Sequence, residues 1–164
     1  MGEQLVLSTT MAGLTLRRLQ ASDAPLVFRL VQANRTHLTA HGDYTAQVAA
    51  RMDQIADELS EVAGRHWRFG VFLESELIGR VDLSEVEPRR YSLGYWLAAS
   101  QTGRGLATAS VRRVLEFGFG DLMATDIYAG VTHGNIPSVS LLIRLGFTAV
   151  ARFDTYTRFR LGPH

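Results

Sequence analysis

The sequence predicts one mixed α/β domain, in which helices flank a central, mostly antiparallel β-sheet that contains one parallel strand pair. Apolar and polar side chains alternate over residues 67–73, 77–83 and 91–97, which is the two-residue period of a strand. Apolar residues recur at helical spacing over residues 106–120 and again after Asn135. Because a helix crosses between strand 91–97 and the next strand, these two strands must run parallel.

Length and composition fit a folded domain and exclude several classes of protein. The chain has 164 residues, of which 46% are hydrophobic and 20% charged, so we expect a single domain over residues 1–164 with its core at about 14–161. The net charge of +1 argues against nucleic acid as a partner. Cysteine and lysine are absent, which excludes disulfides, thiolate ligands and a lysine base.

The sequence also predicts a cytoplasmic protein that has no membrane partner. No apolar run approaches the roughly 20 residues of a membrane helix. The N-terminus lacks the basic start and apolar core of a signal peptide.

The N-terminal part of the chain predicts a strand and two helices. The strand covers Leu14–Arg18, and Ser22 and Asp23 then cap the first helix. Its core-facing residues are expected to be Leu26, Val27, Leu30 and Val31. Thr45 caps the second helix, which ends near Gly64. Its apolar stripe comprises Val48, Met52, Ile55, Leu59 and Val62.

The middle of the chain predicts three antiparallel strands. Residues 67–73 and 77–83 form a hairpin with a turn at 74–76, and residues 85–90 form a loop. In strand 91–97, one face carries Tyr91, Leu93, Tyr95 and Leu97. The opposite face carries Ser92, Gly94 and Trp96.

The C-terminal part predicts a strand over residues 125–131, a helix and a closing hairpin. Asn135 caps the helix and Gly146 ends it. The residues of this helix that face the core are expected to be Val139, Leu142 and Ile143. Residues 147–152 and 155–161 then form the hairpin.

The stretch over residues 100–108 joins a strand to a helix through two glycines. Gly103 and Gly105 allow a tight turn, and the helix behind them presents unpaired N–H groups and the positive end of its dipole. Such a turn can cradle a phosphate or pyrophosphate, and Arg104 can add a charged contact. The glycines alone are equally consistent with an ordinary strand-to-helix turn.

The order of elements and three motifs together resemble the GCN5-related N-acetyltransferase (GNAT) superfamily over about residues 14–161. The motifs are Gly94-Tyr95-Trp96-Leu97, Thr102-Gly103-Arg104-Gly105-Leu106-Ala107, and Asn135-Ile136-Pro137-Ser138 followed by Leu145-Gly146-Phe147. They are most similar to the branch of ribosomal-protein alanine N-acetyltransferases, as is the segment Asn34-Arg35-Thr36-His37-Leu38.

The resemblance implies a GNAT fold, whose two parallel strands splay apart, and transfer of an acetyl group from acetyl-CoA to a primary amine. The acceptor would be a protein N-terminus or a small-molecule amine. The pantetheine arm would pair with residues 95–97 like an added strand, and the pyrophosphate would lie on the amides of residues 103–108.

The residues that the resemblance assigns to acetyl-CoA binding lie in these two stretches and at the end of the second parallel strand. They are Tyr95, Trp96, Leu97, Thr102, Gly103, Arg104, Gly105, Leu106, Ala107, Thr108 and Asn135. Asn135 is equally explained as a helix N-cap. Thr102 departs from the family, which usually has Gln or Arg at that place.

The expected general acid is Ser138. The family often uses a tyrosine four residues before the Gly-Phe pair, where this chain has Leu142. Relatives of the ribosomal branch can use a serine nearer the start of the helix, and Ser138 stands there. A first-turn capping role explains this serine equally well.

Two residues are candidates for the general base, because Ser92 replaces the glutamate that the family often places there. Asp82 lies on the neighbouring strand, although a salt bridge with an arginine would also explain it. His133 follows the parallel strand and is otherwise a turn residue. An α-amine, with a pKa near ~8, needs a base less than a lysine does at about 10.4.

The loop after the first helix is expected to border the acceptor pocket. There His41, Asp43 and Tyr44 would hold and cover a cationic amine, unless the loop is simply solvated. We expect no metal site, because the histidines show no ligand spacing beside carboxylates. A homodimer would form through the C-terminal strands.

Two functions other than an acetyltransferase fit the sequence to different degrees. A non-catalytic acyl-CoA-binding sensor of the same fold fits the replacement of the usual acid and base by Leu142 and Ser92. A dinucleotide-binding oxidoreductase fits poorly, because Thr108 stands where the third glycine of its motif would be.

Overall fold

An eight-stranded sheet forms the centre of a computed structural model, which describes residues 4–61 and 65–163. The strands are β1 (Val6–Ser8), β2 (Leu14–Arg18), β3 (His66–Leu73), β4 (Glu76–Glu87), β5 (Arg90–Leu97), β6 (Asp126–Thr132), β7 (Thr148–Arg152) and β8 (Tyr156–Leu161). Their order across the sheet is β1-β2-β3-β4-β5-β6-β8-β7.

All neighbouring strands are antiparallel except β5 and β6, so the predicted sheet is confirmed. This parallel pair is short. Its register holds only from Arg90 opposite Asp126 to Ser92 opposite Tyr128. Beyond these three pairs the two strands part, as the resemblance implied, and leave a groove in the sheet.

Helices cover both faces of the sheet. They are α1 (Ala24–Ala33), α2 (Arg35–Leu38), α3 (Thr45–Ala49), α4 (Met52–Leu59), α5 (Leu106–Gly120) and α6 (Ile136–Arg144). Helices α5 and α6 pack on the larger core, which is built around Leu16, Phe69, Val81 and Val111. Helices α1 to α4 pack on a smaller core on the opposite face, which includes Val27 and Ile55.

Strand β5 contributes to both cores, and this alternation was predicted. Tyr91, Leu93 and Leu97 are buried in the larger core, with Tyr95 packed against it. Trp96 packs against the smaller core on the opposite face. The backbone that borders the groove is therefore fixed by side chains held on both faces.

The helix predicted over residues 45–64 is instead two helices, α3 and α4. Residues 50 and 51 between them are extended, with φ −68° and ψ 137° at Ala50. The carbonyl of Val48, near the end of α3, accepts hydrogen bonds from the side chains of Gln32 (3.1 Å) and Arg35 (3.3 Å). These donors satisfy a carbonyl that continuation of the helix would otherwise satisfy. Thr45 is the first helical residue rather than the cap.

Helix α4 ends at Leu59, and the predicted positions Val62 and Gly64 lie outside the described residues. Three residues predicted to face the core are exposed instead. They are Leu26 at 40%, Met52 at 42% and Ile143 at 59%. In α6 the buried pair is Leu141 and Leu142, because the helix is rotated relative to the expected stripe.

Two strand boundaries also differ from the predictions. The loop predicted over residues 85–90 shrinks to a turn at Pro88 and Arg89, because β4 continues to Glu87 and β5 begins at Arg90. Strand β1 was not predicted, since three residues are too few for a periodic pattern. The closing hairpin of β7 and β8 is as predicted.

Candidate active site

A cavity lies where β5 and β6 part, and we call it the groove. Its volume is about 770 Å³. The start of α5, residues along α6 and the segment over residues 37–47 all line it. One continuous cavity therefore joins the glycine turn to the loop that was expected to border an acceptor.

The glycine turn has the geometry of an anion cradle, which we define as residues 103–108. Gly103 and Gly105 have φ values of 76° and 77°, in the left-handed region that favours glycine. The amide of Ala109 donates to the carbonyl of Gly105 (3.1 Å), so the preceding amides of the first helical turn have no partner within α5. A Cβ atom added at either glycine would meet nothing within 4 Å, so this backbone is open to a ligand.

Not every residue of the predicted cradle faces the groove. Thr102, Gly103, Gly105, Ala107 and Thr108 line it. The side chain of Arg104 donates instead to Gln101 Oε1 (2.7 Å), and the side chain of Leu106 is buried in the larger core.

The cradle has a basic neighbour that the sequence did not reveal. Arg144, in the last turn of α6, lines the groove, and its Nη1 donates to Thr108 Oγ1 (2.9 Å). The hydroxyl of Thr102 donates to the carbonyl of Ala99 (2.8 Å), which closes the turn before the cradle.

The edge of β5 presents backbone groups that no neighbouring strand pairs to the groove, at the position where a pantetheine arm was expected; of these, the carbonyl of Tyr95 accepts from Tyr44. The amide of Ala98 donates to Ile78 of β4 (2.8 Å). The backbone groups of successive residues in a strand point toward opposite sides of that strand. Those of Tyr95 and Leu97 therefore point away from β4 and into the groove. Tyr95, Trp96 and Leu97 all line it.

The loop of residues 41–44 spans the groove from one strand to the other, and we call it the bridging loop. The hydroxyl of Tyr44 donates to the carbonyl of Tyr95 on β5 (2.6 Å). Thr132, at the end of β6, donates through Oγ1 to Asp43 Oδ1 (2.5 Å). Burial raises the pKa of the Tyr44 hydroxyl, so this group stays a donor at neutral pH. Together with His41, all three predicted acceptor residues line the groove.

Ser138 lies in the groove between the cradle and the bridging loop. Its hydroxyl is hydrogen-bonded to the hydroxyl of Tyr95, and its amide donates to Asn135 Oδ1 (3.4 Å). Asn135 is therefore the predicted N-cap of α6, and it also lines the groove. Burial raises the pKa of Tyr95, so the tyrosine hydroxyl is neutral where it meets Ser138.

Asp82 lies on β4 directly opposite Gly94, which lines the groove. Its carboxylate accepts from Arg80 Nη2 (2.8 Å), the ion pair that the sequence suggested as an alternative role. Burial raises the pKa of Asp82, and the charge of Arg80 opposes that rise. A Cβ atom at Gly94 would meet nothing within 4 Å, which leaves open space on this part of the sheet.

The structure does not bring His133 to the groove. Its Nε2 atom lies 3.3 Å from Thr157 Oγ1 on β8, and its amide donates to the carbonyl of Thr155 (3.0 Å). Its side chain is held against β8, outside the set of residues that line the cavity.

Sequence reasoning missed about half of the residues that line the groove. They are His37, Leu38, Ala40, Gln47, Leu93, Gly94, Gln101, Ala129, Gly130, Val131, Pro137, Ser140, Leu141 and Arg144. Those on β6 could have been found from the predicted parallel pair. His37, Leu38, Gly94 and Pro137 lie in the segments that resemble the family. The others carry no local signal, because only the tertiary fold directs them to the cavity.

Within residues 4–61 and 65–163, no three histidine, aspartate or glutamate side chains cluster as metal ligands would. The same residues contain no helix that is long and apolar enough to cross a membrane.

Comparison with known proteins identifies the family. The family model described as an acetyltransferase (GNAT) domain matches residues 13–148. The uncharacterized N-acetyltransferase p20 of Bacillus licheniformis is 28% identical over 142 residues, which are 82% of this chain and 78% of that protein. The chain therefore belongs to the GNAT family of N-acetyltransferases, as its motifs predicted.

Two solved structures share the fold. RimL, a ribosomal L7/L12 alpha-N-protein acetyltransferase in complex with coenzyme A, has a TM-score of 0.84 at 16% identity, over 96% of this chain and 98% of its own. RimJ of Mycobacterium smegmatis, in complex with CoA-disulfide, has a TM-score of 0.79 at 24% identity, over 97% and 86%. At these identities the likeness concerns the fold.

Proposed function

We propose that this chain transfers the acetyl group of acetyl-CoA to a primary amine by direct attack of the amine on the thioester. The observation that carries the proposal is the continuity of the groove. One cavity is lined by an anion cradle, a strand edge with unpaired amides, a serine hydroxyl and the bridging loop. A phosphate-bearing thioester needs the first three, and an amine acceptor needs the last.

Binding of acetyl-CoA would rest mainly on backbone groups. The amides of residues 103–108 are suited to the pyrophosphate, because they are unpaired and lie at the positive end of α5. The edge of residues 95–97 is suited to the amides of the pantetheine arm, although the carbonyl of Tyr95 already accepts from Tyr44. Thr102 and Asn135 would add side-chain contacts, and Arg104 would need to leave Gln101 to reach a phosphate. RimL and RimJ, which share this fold, are known in complex with coenzyme A or its disulfide.

Acetyl-CoA supplies an acyl carbon that is activated as a thioester. Backbone N–H groups at residues 95–97 would polarise its carbonyl while the amine nitrogen forms a bond to that carbon. As the carbon–sulfur bond breaks, Ser138 would give its hydroxyl proton to the sulfur and recover a proton from solvent. The neutral Tyr95 hydroxyl, hydrogen-bonded to Ser138, would hold this serine in position.

Asp82 is our choice for the group that removes the proton of the acceptor ammonium. It lies opposite Gly94 beside open space, and burial raises its pKa toward the range in which a carboxylate is an effective base. A water molecule would complete the path to the amine. His133 remains the second candidate, and it would have to turn away from Thr157 to serve.

The acceptor we favour is the α-amine of a protein N-terminus. The motifs of this chain resemble the ribosomal-protein branch, and RimL is named as an acetyltransferase of the ribosomal L7/L12 N-terminus. An α-amine also loses its proton more readily than a lysine side chain. His41, Asp43 and Tyr44 of the bridging loop would border this acceptor.

A binding protein without turnover is the second candidate function. It is favoured by Leu142, which occupies the place of the family's usual acid and is fully buried in the larger core. Ser92, at the place of the usual base, is likewise not ionisable. Such a protein would keep the cradle and the strand edge and would sense acyl-CoA.

The test is a calorimetric titration with acetyl-CoA, followed by measurement of free thiol released in the presence of amines and N-terminal peptides. Binding together with thiol release that depends on the acceptor would support the transferase. Binding without release from any acceptor would favour the sensor. If acetyl-CoA does not bind, the role of residues 103–108 is wrong.

A further inference from the structure

A second cavity lies beside the groove, on the face of the sheet covered by α1, α3 and α4. Its volume is about 180 Å³. Val27 and Val31 of α1 and Ile55 of α4 form apolar walls, and Arg80 and Trp96 line it from the sheet. The polar side chains that also line it are Gln47, Gln54 and Glu58. A cavity of roughly 150 Å³ can hold a benzene molecule, so this one has room for a group the size of a branched amino acid side chain.

This second cavity adjoins the acceptor end of the groove. Gln47 of α3 and Trp96 of β5 line both cavities. Trp96 follows Tyr95, whose carbonyl binds the bridging loop. A molecule that presents an amine in the groove at residues 95–97 would therefore have its nearest substituent at the entrance to this second cavity.

The charges at the base of the cavity are paired with one another. The guanidinium of Arg80 is nearly buried and donates to Glu58 Oε1 (3.0 Å) and Asp82 Oδ2 (2.8 Å). The Nε atom of Arg68 also lies 3.8 Å from Glu58 Oε2. Glu58 and Asp82 are thus already engaged with Arg80, and a carboxylate substituent would be repelled by Glu58, which lines the cavity.

We propose, building on the proposed function, that this cavity receives the substituent next to the acceptor amine and selects an uncharged aliphatic one. The favoured acceptor is an α-amine whose side chain is the size of valine or leucine. Polycationic amines are disfavoured, because a second positive charge would lie beside Arg80, and the Glu58 carboxylate that lines the cavity is already paired with Arg80. Burial of each methylene should raise kcat/KM about fourfold, since a buried methylene contributes about 0.8 kcal/mol.

The test compares peptides that differ only in an N-terminal Ala, Val, Leu or Lys, at saturating acetyl-CoA, by thiol release. We expect kcat/KM to increase from Ala to Val to Leu, with the Leu peptide at least tenfold above Ala and Lys well below Leu. An Ala peptide that equals the Leu peptide, or a preference for Lys, would overturn the proposal.

Matched variants of α3 and of Ala50, which follows it, test whether this cavity is responsible. Ala46 and Ala50 line the cavity, whereas Ala49 of α3 lines neither cavity. Ala46→Leu should reduce the ratio of kcat/KM for the Leu peptide to kcat/KM for the Ala peptide at least tenfold. The value for the Ala peptide itself should change little. Ala50→Leu should do the same from deeper in the cavity. Ala49→Leu should keep the wild-type ratio, and equal ratios in all these proteins would refute the assignment.

A binding measurement separates this proposal from the proposed function. Trp96 is one of only two tryptophans in the chain, so its fluorescence can report occupancy of the cavity. With coenzyme A present, leucinamide should bind at least tenfold more tightly than glycinamide, and Ala46→Leu should abolish the difference. This result would hold even if no acetyl transfer occurred. Transfer with equal binding of the two amides would instead refute the cavity and keep the transferase.

Discussion

The two ends of the groove are built in different ways. The cradle consists of backbone amides on one short segment, held by two glycines with positive φ. The acceptor end consists of side chains from separate elements. Its bridging loop is held through the hydrogen bond of Tyr44 to β5 and that of Asp43 to β6. The cradle should therefore tolerate most substitutions that leave its space open, whereas the acceptor end should respond to the loss of single atoms.

The largest effect is expected from closing the cradle with Gly105→Trp. The indole would occupy the open space in front of the first-turn amides and prevent contact with the pyrophosphate. Loss of two charge-assisted hydrogen bonds at about 1.5–3 kcal/mol each should weaken acetyl-CoA binding about 10³-fold by calorimetry.

Gly105→Ala is the matched control for that experiment, since it introduces the same strain at positive φ but little bulk. We expect this variant to bind acetyl-CoA within about tenfold of the wild type, as the strain amounts to roughly 1–2 kcal/mol. A folded Gly105→Trp protein with unchanged affinity would mean that acetyl-CoA does not use the cradle.

Ser138→Ala should lower kcat by roughly 500-fold, within the range of a lost general acid, while the acetyl-CoA dissociation constant stays nearly constant. Rapid-mixing and steady-state thiol release would measure the first quantity, and calorimetry the second. Tyr95→Phe removes only the partner of Ser138, so its decrease in kcat should be smaller. Wild-type kcat in Ser138→Ala would remove this residue from the mechanism.

Asp82→Asn should reduce kcat/KM about 100-fold at neutral pH, at the lower end of the range for loss of a general base. We expect the lower end because an α-amine is partly unprotonated at neutral pH and needs the base less. The active form is the carboxylate, and burial raises its pKa. Wild-type kcat/KM should therefore fall as pH falls through that raised pKa, which gives the pH profile an acidic limb. The profile of the variant should lack this limb. If His133→Gln abolishes the limb and Asp82→Asn retains it, the base is His133.

The smallest effect is expected from Tyr44→Phe, which deletes one hydrogen bond of the bridging loop to Tyr95. A net contribution of about 1 kcal/mol corresponds to roughly a fivefold increase in the KM of the amine. Binding of acetyl-CoA at the cradle should change less. Equal losses at both ends would contradict the division of the groove into a backbone part and a side-chain part.

The same division explains what the sequence could reveal. The cradle and α5 depend on local residues, and α5 begins and ends where its pattern predicted, at Leu106 and Gly120. The break between α3 and α4 has no local cause, since Ala49 and Ala50 are good helix formers. It depends on Gln32 and Arg35, which bind the carbonyl of Val48 from the preceding helices.

The acceptor end was predicted only in part for the same reason. The family pattern indicated the bridging loop, but its contacts with Tyr95 and Thr132 join residues far apart in the chain. The cavity beneath α3 has no sequence signature either, because its walls come from three helices and two strands.

Because the parallel pairing of β5 and β6 is short, β5 contains both amides that pair with β6 and amides that a ligand could cover. The paired amides can serve as an internal control for ligand binding. The amide of Tyr91 lies within the paired part, opposite Ile127, and those of Tyr95 and Leu97 lie beyond it. In solution, deuterium should replace hydrogen slowly at the first position and quickly at the other two. Occupation of the strand edge by acetyl-CoA would slow the latter pair alone, so isotope uptake along eight consecutive residues would locate the ligand without any mutation.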